Sequence, residues 1–304
     1  MRARGWPSCD IRLTVPCDAV NVNATAGSQN ERLIMLALAW PRAQQGEALD
    51  AEQVRERMVV DHRTTLEGYS SNEECARGRS TRSRKVDPMK LLLTSGGVTN
   101  PSIRDRLVAL LGKPISESDA LFVPTAQWGQ PACSPQTVWR STADAWPDQS
   151  GLCGLDWRSV GVLELTALPS IGAEHWEPWV RAADVLLVDG GEAIYLTHWL
   201  RDSGLAELLA TLPTMVWVGV SAGSMALTPR IGHHFTDWRP DGGDETLGLV
   251  DFSIFPHLDY PGWSGNTTES AHRWATTIAG PAYALDDQSA ISVVDGVVEV
   301  ISEG

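Results

Sequence analysis

The stretch TMVWVGVSAGSMALTPR, Thr214 to Arg230, decides how the rest of the chain is read. It opens with β-branched and aromatic residues (Val216, Trp217, Val218, Val220), turns at Gly219-Val220-Ser221-Ala222-Gly223, and continues as Ser224-Met225-Ala226-Leu227 until Pro229 interrupts. The order is strand, sharp turn, helix. A serine flanked by two glycines at such a junction is the nucleophile-elbow pattern G-x-S-x-G. In that turn the neighbouring strand and helix crowd the positions two before and two after the serine, so only very small residues fit. The N-terminal N–H groups of the following helix favour negative charge developing beside the serine. The same five residues would also serve a tight turn whose serine merely caps a helix.

Working outward, strands and helices alternate from Met89 onward. The pattern predicts strands at Lys90–Thr94, Leu121–Val123, Val160–Leu165, Val185–Val188, Met215–Val220 and Phe252–Phe255. Helices are predicted near Ile103–Leu111, Gln136–Ala145, Glu174–Ala182, Leu196–Thr211, Ser221–Leu227 and Glu269–Ile278. Strand-like runs at Tyr283–Leu285, Ala290–Val294 and Val297–Ile301 follow, the last two separated by Asp295-Gly296, a hairpin signal. Short continuous apolar strands between helices imply an α/β fold with a mostly parallel sheet covered on both faces.

Residues 1–88 differ in character. Their basic residues are arginines apart from Lys85, and polar stretches such as Asn21 to Asn30 and Tyr69 to Arg84 predict a poorly structured extension. The abrupt change at Met89 suggests a natural start there, with residues 1–88 lying upstream of it. A genuine N-terminal extension, disordered or regulatory, is the alternative.

The net charge of −14 is uneven: residues 1–88 hold 13 Lys+Arg against 12 Asp+Glu, residues 89–304 hold 11 against 26. So acidic a domain is a poor partner for nucleic acid. The five cysteines lack the regular spacing of a disulfide framework or a metal site, which suggests a reducing, cytoplasmic setting. The longest apolar run, Leu33 to Trp40, is too short to span a bilayer, so no membrane partner is expected. Whether the chain forms a homo-oligomer is left open.

In parallel α/β sheets, reactive residues gather in loops at the carboxyl ends of strands. An activated serine needs a base and a group that orients the base. Of the seven histidines, His257 alone follows directly on a buried strand, Phe252-Ser253-Ile254-Phe255-Pro256, which makes it the candidate base. Gly190 and Gly191, after the strand ending at Val188-Asp189, let backbone approach a substrate without a Cβ; they are either oxyanion donors or only a turn. The N–H of Ala222 would be a second donor.

Six stretches together, LLLTSGGVTN (91–100), VPTA (123–126), DVLLVDGGE (184–192), VGVSAGSM (218–225), FSIFPHLD (252–259) and ALDDQSAI (284–291), resemble the peptidase E family of serine hydrolases, the aspartyl dipeptidases and their relatives. The resemblance covers Met89 to the C-terminus and none of residues 1–88. It implies a flavodoxin-like three-layer α/β/α sandwich similar to the class I glutamine amidotransferase domain, and a serine peptidase acting on short peptides without metal or organic cofactor. Ser221 matches the family nucleophile, His257 its histidine, and Gly190 with Ala222 its oxyanion donors. The acid falls at Asp287, with Asp286 a close rival. The order Ser221, His257, Asp287 argues against an α/β-hydrolase, where the acid precedes the histidine, and a serine rather than a cysteine in the elbow argues against a glutaminase. Aspartyl dipeptidases continue the Gly-Gly turn with Asn and Thr, where this chain has Glu192 and Ala193. A carboxylate there would repel an aspartyl substrate unless a base such as Arg230 neutralises it, which puts Gly191, Glu192 and Arg230 in the expected substrate-binding region. The other readings are a cyanophycinase-like hydrolase of aspartyl linkages, and a non-catalytic binding or regulatory module of the same fold.

Overall fold

The structure, a computed structural model, describes residues 89–143, 151–238 and 242–303. The extension expected at residues 1–88 lies outside the described residues.

Nine strands and seven α-helices follow in chain order: β1 (Lys90–Thr94), α1 (Pro101–Leu111), β2 (Asp119–Val123), α2 (Pro135–Thr142), β3 (Ser159–Val162), α3 (Ala173–Ala182), β4 (Val185–Val188), α4 (Ala193–Asp202), α5 (Leu205–Leu209), β5 (Val216–Val220), α6 (Ala222–Met225), β6 (Ser253–Phe255), α7 (Thr268–Ala275), β7 (Ala282–Ala284), β8 (Ser289–Val294) and β9 (Val297–Ser302), all among the described residues. Seven strands form one sheet in the order β3-β2-β4-β5-β1-β8-β9. Its first five strands are parallel, and β8 and β9 extend it as an antiparallel hairpin.

The apolar runs explain the layering. Successive side chains of a strand point to opposite faces, and in β5 Trp217 enters one core while Val216 and Val218 enter the other. The first core also takes Leu91, Leu93, Leu186 and Val188, and receives Trp176 and Val180 of α3 and Leu196 and Leu200 of α4. The second takes Leu92, Val185 and Leu187, and receives Ile103, Leu107 and Leu110 of α1. The α/β fold is therefore mostly parallel with helices on both faces, and a hairpin closes it at the C-terminal edge. Asp295 and Gly296, both at positive φ (51° and 79°), form the turn that Asp-Gly predicts.

Three expectations need correction. The predicted strands near 252–255 and 283–285 do not join the main sheet: β6 and β7 pair with each other, in parallel, as a separate two-stranded sheet. One face of that small sheet shares the first core through Ile254 and Tyr283, and the other, Phe255 with Ala282 and Ala284, is covered by Trp274 of α7. Both faces are buried either way, so the apolar run could not reveal which strand pairs with which. The helix predicted over 196–211 is broken at Gly204, whose φ of 81° stops α4 and lets α5 start in a new direction. The strand predicted to reach Leu165 ends at Val162, and residues 165–170 form a 3₁₀ turn.

Register places the site. Thr94 pairs with Val220 and Val188 with Gly219, so β1, β4 and β5 end level with one another. The loops at Ser95, Gly190 and Ser221 therefore emerge side by side.

Candidate active site

The turn after β5 is dictated by sterics. A Cβ built on Gly219 would lie 2.6 Å from the Gly223 carbonyl, and one on Gly223 would lie 2.2 Å from the Val188 carbonyl oxygen. Both glycines are thus required by the close approach of backbone to backbone. Between them Ser221 adopts φ 48°, ψ −107°, a conformation sparsely allowed for a residue with a side chain. Neighbours over-determine that strained state. Ser221 N–H donates to Thr94 O (3.0 Å), Ser224 Oγ donates to Thr94 O (2.8 Å) and Gly219 O (2.9 Å), and the Trp217 indole donates to Gly223 O (3.0 Å). Ser221 stands at the N-cap of α6, yet its side chain makes no capping bond. Its hydroxyl is not spent on the helix.

His257 follows β6 through Pro256 and also has a positive φ, 55°. Its Nδ1 lies 2.8 Å from Asp287 Oδ1, and its buried Nε2 has no hydrogen-bond partner among the described residues. With Nδ1–H donated to a carboxylate, the neutral ring presents an acceptor lone pair at Nε2. Asp287 sits in the connection from β7 to β8. Burial opposes its ionisation, but the hydrogen bond and electrostatic attraction of His257, with the Ser95 hydroxyl, outweigh it and hold the carboxyl below its usual value. Asp286, the rival, accepts the backbone N–H of Gln288 (3.0 Å) instead. Of the two acids, Asp287 is the one that meets the imidazole.

Ser95 joins these parts. Its hydroxyl donates to Asp287 Oδ1 (2.9 Å) and accepts from the His257 backbone N–H (2.5 Å). Beside it, a Cβ on Gly96 would lie 2.8 Å from Asp287 Cβ. In the sequence Ser95-Gly96-Gly97 appears only within the stretch LLLTSGGVTN, and nothing there singles out Ser95. A hydroxyl and a glycine beside the first strand of a parallel sheet were the only signal.

The Gly190–Gly191 turn is arranged differently from expectation. Gly190 N–H, expected to face the oxyanion, donates to Asp189 Oδ1 (2.8 Å). Gly191 N–H makes no hydrogen bond among the described residues, and neither does Ala222 N–H. Gly191 has φ 142°, and a Cβ there would strike the Ala126 carbonyl at 2.3 Å, so backbone again packs on backbone. Desolvation raises the pKa of Asp189, against the hydrogen bonds it receives from Gln127 and from Gly190. The buried Gln127 leaves its Oε1 without a partner.

Glu192 and Arg230, both expected near the substrate, are committed elsewhere. Glu192 is 2% exposed. One carboxylate oxygen caps α4 by accepting Tyr195 N–H, and the other accepts the N–H groups of Asp237 (3.3 Å) and Trp238 (3.4 Å). Three backbone donors satisfy it without a cation, although desolvation still raises its pKa. Arg230 pairs with Asp244, through Nε (3.0 Å) and Nη2 (2.5 Å) to one oxygen, while the other Asp244 oxygen accepts Gly232 N–H (2.9 Å). The Arg230–Glu192 neutralisation considered from sequence is not made.

The family model for peptidase family S51 matches residues 91–301. This chain belongs to peptidase family S51. The S51 match spans β1 to β9, so every residue of the site lies within it, and the chain is a serine-type peptidase. A peptidase E protein of Listeria monocytogenes EGD-e is similar in structure, with a TM-score of 0.52 at 19% identity, over 71% of this chain and 99% of the other. A peptidase from an acI-B1 actinobacterium gives a TM-score of 0.50 at 18% identity, over 72% of this chain and 89% of the other. At such identities the likeness is one of fold. No curated protein sequence matches the chain. Among the described residues of the S51 domain no group of three His, Cys, Asp or Glu side chains is placed to hold a metal ion, and no helix is long and apolar enough to cross a membrane.

Proposed function

We propose that this S51 peptidase hydrolyses short peptides through Ser221, His257 and Asp287. The observation that carries the reading is the His257 Nδ1–Asp287 Oδ1 contact of 2.8 Å with Nε2 left uncommitted, in a chain whose elbow serine does not cap its helix. His257 Nε2 takes the Ser221 proton as the hydroxyl attacks the scissile carbonyl, and returns it to the departing amine. Asp287 keeps the imidazole in the tautomer this requires and stabilises the imidazolium. The N–H of Ala222, with the uncommitted N–H of Gly191 rather than that of Gly190, supplies the oxyanion donors. Water, deprotonated by His257, then releases the acyl group.

The substrate class is short peptides, with N-terminal Asp-X included. The objection to an aspartyl side chain came from Glu192, whose carboxylate faces backbone N–H groups. A fluorophosphonate probe tests the mechanism: Ser221 labels in the wild type and does not when His257 is replaced by Ala. Folded protein whose Ser221 stays inert would instead support a binding module. A dipeptide panel with Asp-Leu and Ala-Leu side by side, extended to aspartyl-arginine linkages, separates a dipeptidase from a cyanophycinase-like hydrolase. The cysteine pattern supports work in a reducing, cytoplasmic setting.

A further inference from the structure

The loop that follows the base is built, and it leaves two large aromatic rings in solvent. From His257 to Asn266 the backbone is closed on itself: Tyr260 N–H donates to His257 O (3.2 Å), Trp263 N–H to Tyr260 O (3.0 Å), Asn266 N–H to Trp263 O (3.0 Å) and Asp259 N–H to Asn266 O (2.7 Å). The Asn266 side chain ties the loop to the strand end by donating to Pro256 O (3.0 Å), and Asp259 accepts from Thr268 at the start of α7. Within this frame Trp263 stands edge-on to the His257 ring, centroids 4.0 Å apart and planes at 84°, with Tyr260 5.9 Å from Trp263 and 6.1 Å from His257. Yet Trp263 is 49% and Tyr260 38% exposed. Ordered aromatic surface beside a polar catalytic atom is the common character of a ligand-contacting wall.

We propose that Trp263 and Tyr260 form the leaving-group subsite of this peptidase, selecting peptides whose residue on the amine side of the scissile bond is bulky and apolar or aromatic. The proposal rests on the triad reading above and adds the substrate's leaving side to it. Its logic is chemical. The proton that His257 collects from Ser221 must be delivered to the nitrogen of the departing residue, so in the transition state that nitrogen lies within hydrogen-bond reach of Nε2. The residue carried by that nitrogen then lies beside whatever packs against the imidazole, and Trp263 is in that position with half its surface open. The acyl side of the bond is bounded instead by the glycine turns at 190–191 and 219–223, which present backbone. The two sides of the substrate thus meet surfaces of opposite character.

The test uses the full chain and the pairs Asp-Phe with Asp-Gly and Ala-Phe with Ala-Gly. Expected is a wild-type kcat/KM at least tenfold higher for the phenylalanine peptide of a pair, a collapse of that ratio by about tenfold in Trp263→Ala, and its retention in large part in Trp263→Phe. A second measurement needs no turnover: phenylalaninamide, which mimics the departing amine, should slow fluorophosphonate labelling of Ser221 in the wild type at concentrations where glycinamide does not, and lose this effect in Trp263→Ala. A Phe/Gly ratio unchanged within twofold in Trp263→Ala, with labelling of Ser221 intact, overturns the subsite and leaves the triad standing. Absence of both labelling and hydrolysis in folded wild type brings down the triad reading and this inference with it. If the wild type sediments as a dimer and Trp263→Ala as a monomer with the ratio preserved, the two rings belong to an interface between copies, and the subsite is overturned.

Discussion

Ser221 stands at the end of β5, the middle strand of seven, whereas His257 stands at the end of a three-residue strand in a sheet of two. The two are held by different means. Around Ser221 the constraint is backbone against backbone: glycines whose Cβ atoms could not exist, and a φ of 48° that the packed strands enforce. Around His257 the constraint is a set of side-chain hydrogen bonds reaching in from other elements: Ser95 from the end of β1 and Asp287 from the β7–β8 connection act on His257 itself, and Asn266 of the following loop on the adjacent Pro256 carbonyl. A serine held by sterics tolerates no change of shape. A histidine held by hydrogen bonds can be altered in steps, each with a graded loss.

That contrast can be broken or sharpened by substitution. Ser221→Ala removes the proposed nucleophile and should lower kcat by about 10⁴–10⁶-fold, measured on whichever dipeptide the panel identifies, with thermal unfolding nearly unchanged. Asp287→Asn should cost about 10²–10⁴-fold in kcat, because the imidazole loses its orienting acceptor while the packing survives. The same variant carries a pH signature. The carboxyl of Asp287 is depressed in the folded state, so its contribution to stability is fully present above the ordinary value of 3.8 and is lost as the pH falls through the folded value. Urea unfolding followed below and above that value should therefore show a steeper acid loss in the wild type than in Asp287→Asn.

Smaller effects separate the two kinds of support. Gly223→Ala should destabilise the fold by about 3 kcal/mol or prevent folding, since the new Cβ has only the rigid Val188 carbonyl to displace. Ser95→Ala should cost about 1–3 kcal/mol, by removing one hydrogen bond to Asp287 and leaving the buried His257 N–H without an acceptor, and it should lower kcat in a soluble, folded protein. The least effect is expected for Glu192→Gln. Desolvation raises the Glu192 pKa above its ordinary 4.5, so the stability Glu192 contributes is greatest below 4.5 and falls as the pH rises through the folded value. The advantage of wild type over Glu192→Gln in urea unfolding should accordingly shrink from acid to neutral pH. If Ser95→Ala proves as damaging to folding as Gly223→Ala, the division between steric and hydrogen-bonded support is wrong.

The same division explains what was legible in the sequence. Steric requirements leave residue types behind: Gly219 and Gly223 must be glycine, so the elbow announces itself, and continuous apolar strands such as Val185–Val188 announce a sheet buried on both faces. Hydrogen-bond requirements leave weaker marks, because serine, glutamate and arginine serve many purposes. Ser95 gave no sign of spanning to His257 and Asp287 across more than 150 positions of chain. Glu192 read as a charge offered to substrate, when three backbone N–H groups take it up. The pattern Asp-Gly-Gly does not tell which amide Asp189 claims; the claimed one is Gly190, which the family resemblance implies as donor, and Gly191 is the uncommitted one. Pairing of β6 with β7 was invisible for the reason that any short apolar run fits any buried edge.

Asp287 lies between β7 and β8, and Thr99, just after β1, holds its carbonyl through a 2.6 Å hydrogen bond while β8 zips antiparallel along β1. The acid of the proposed triad is thus set in place by pairing the first strand of the domain with its last hairpin, contacts among the most distant in sequence and so among the costliest to close. A chain still on the ribosome, complete through β7, would already hold its serine turn and its paired histidine strand but have no fixed carboxylate. On the proposed mechanism, full proteolytic competence arrives only with the final strands.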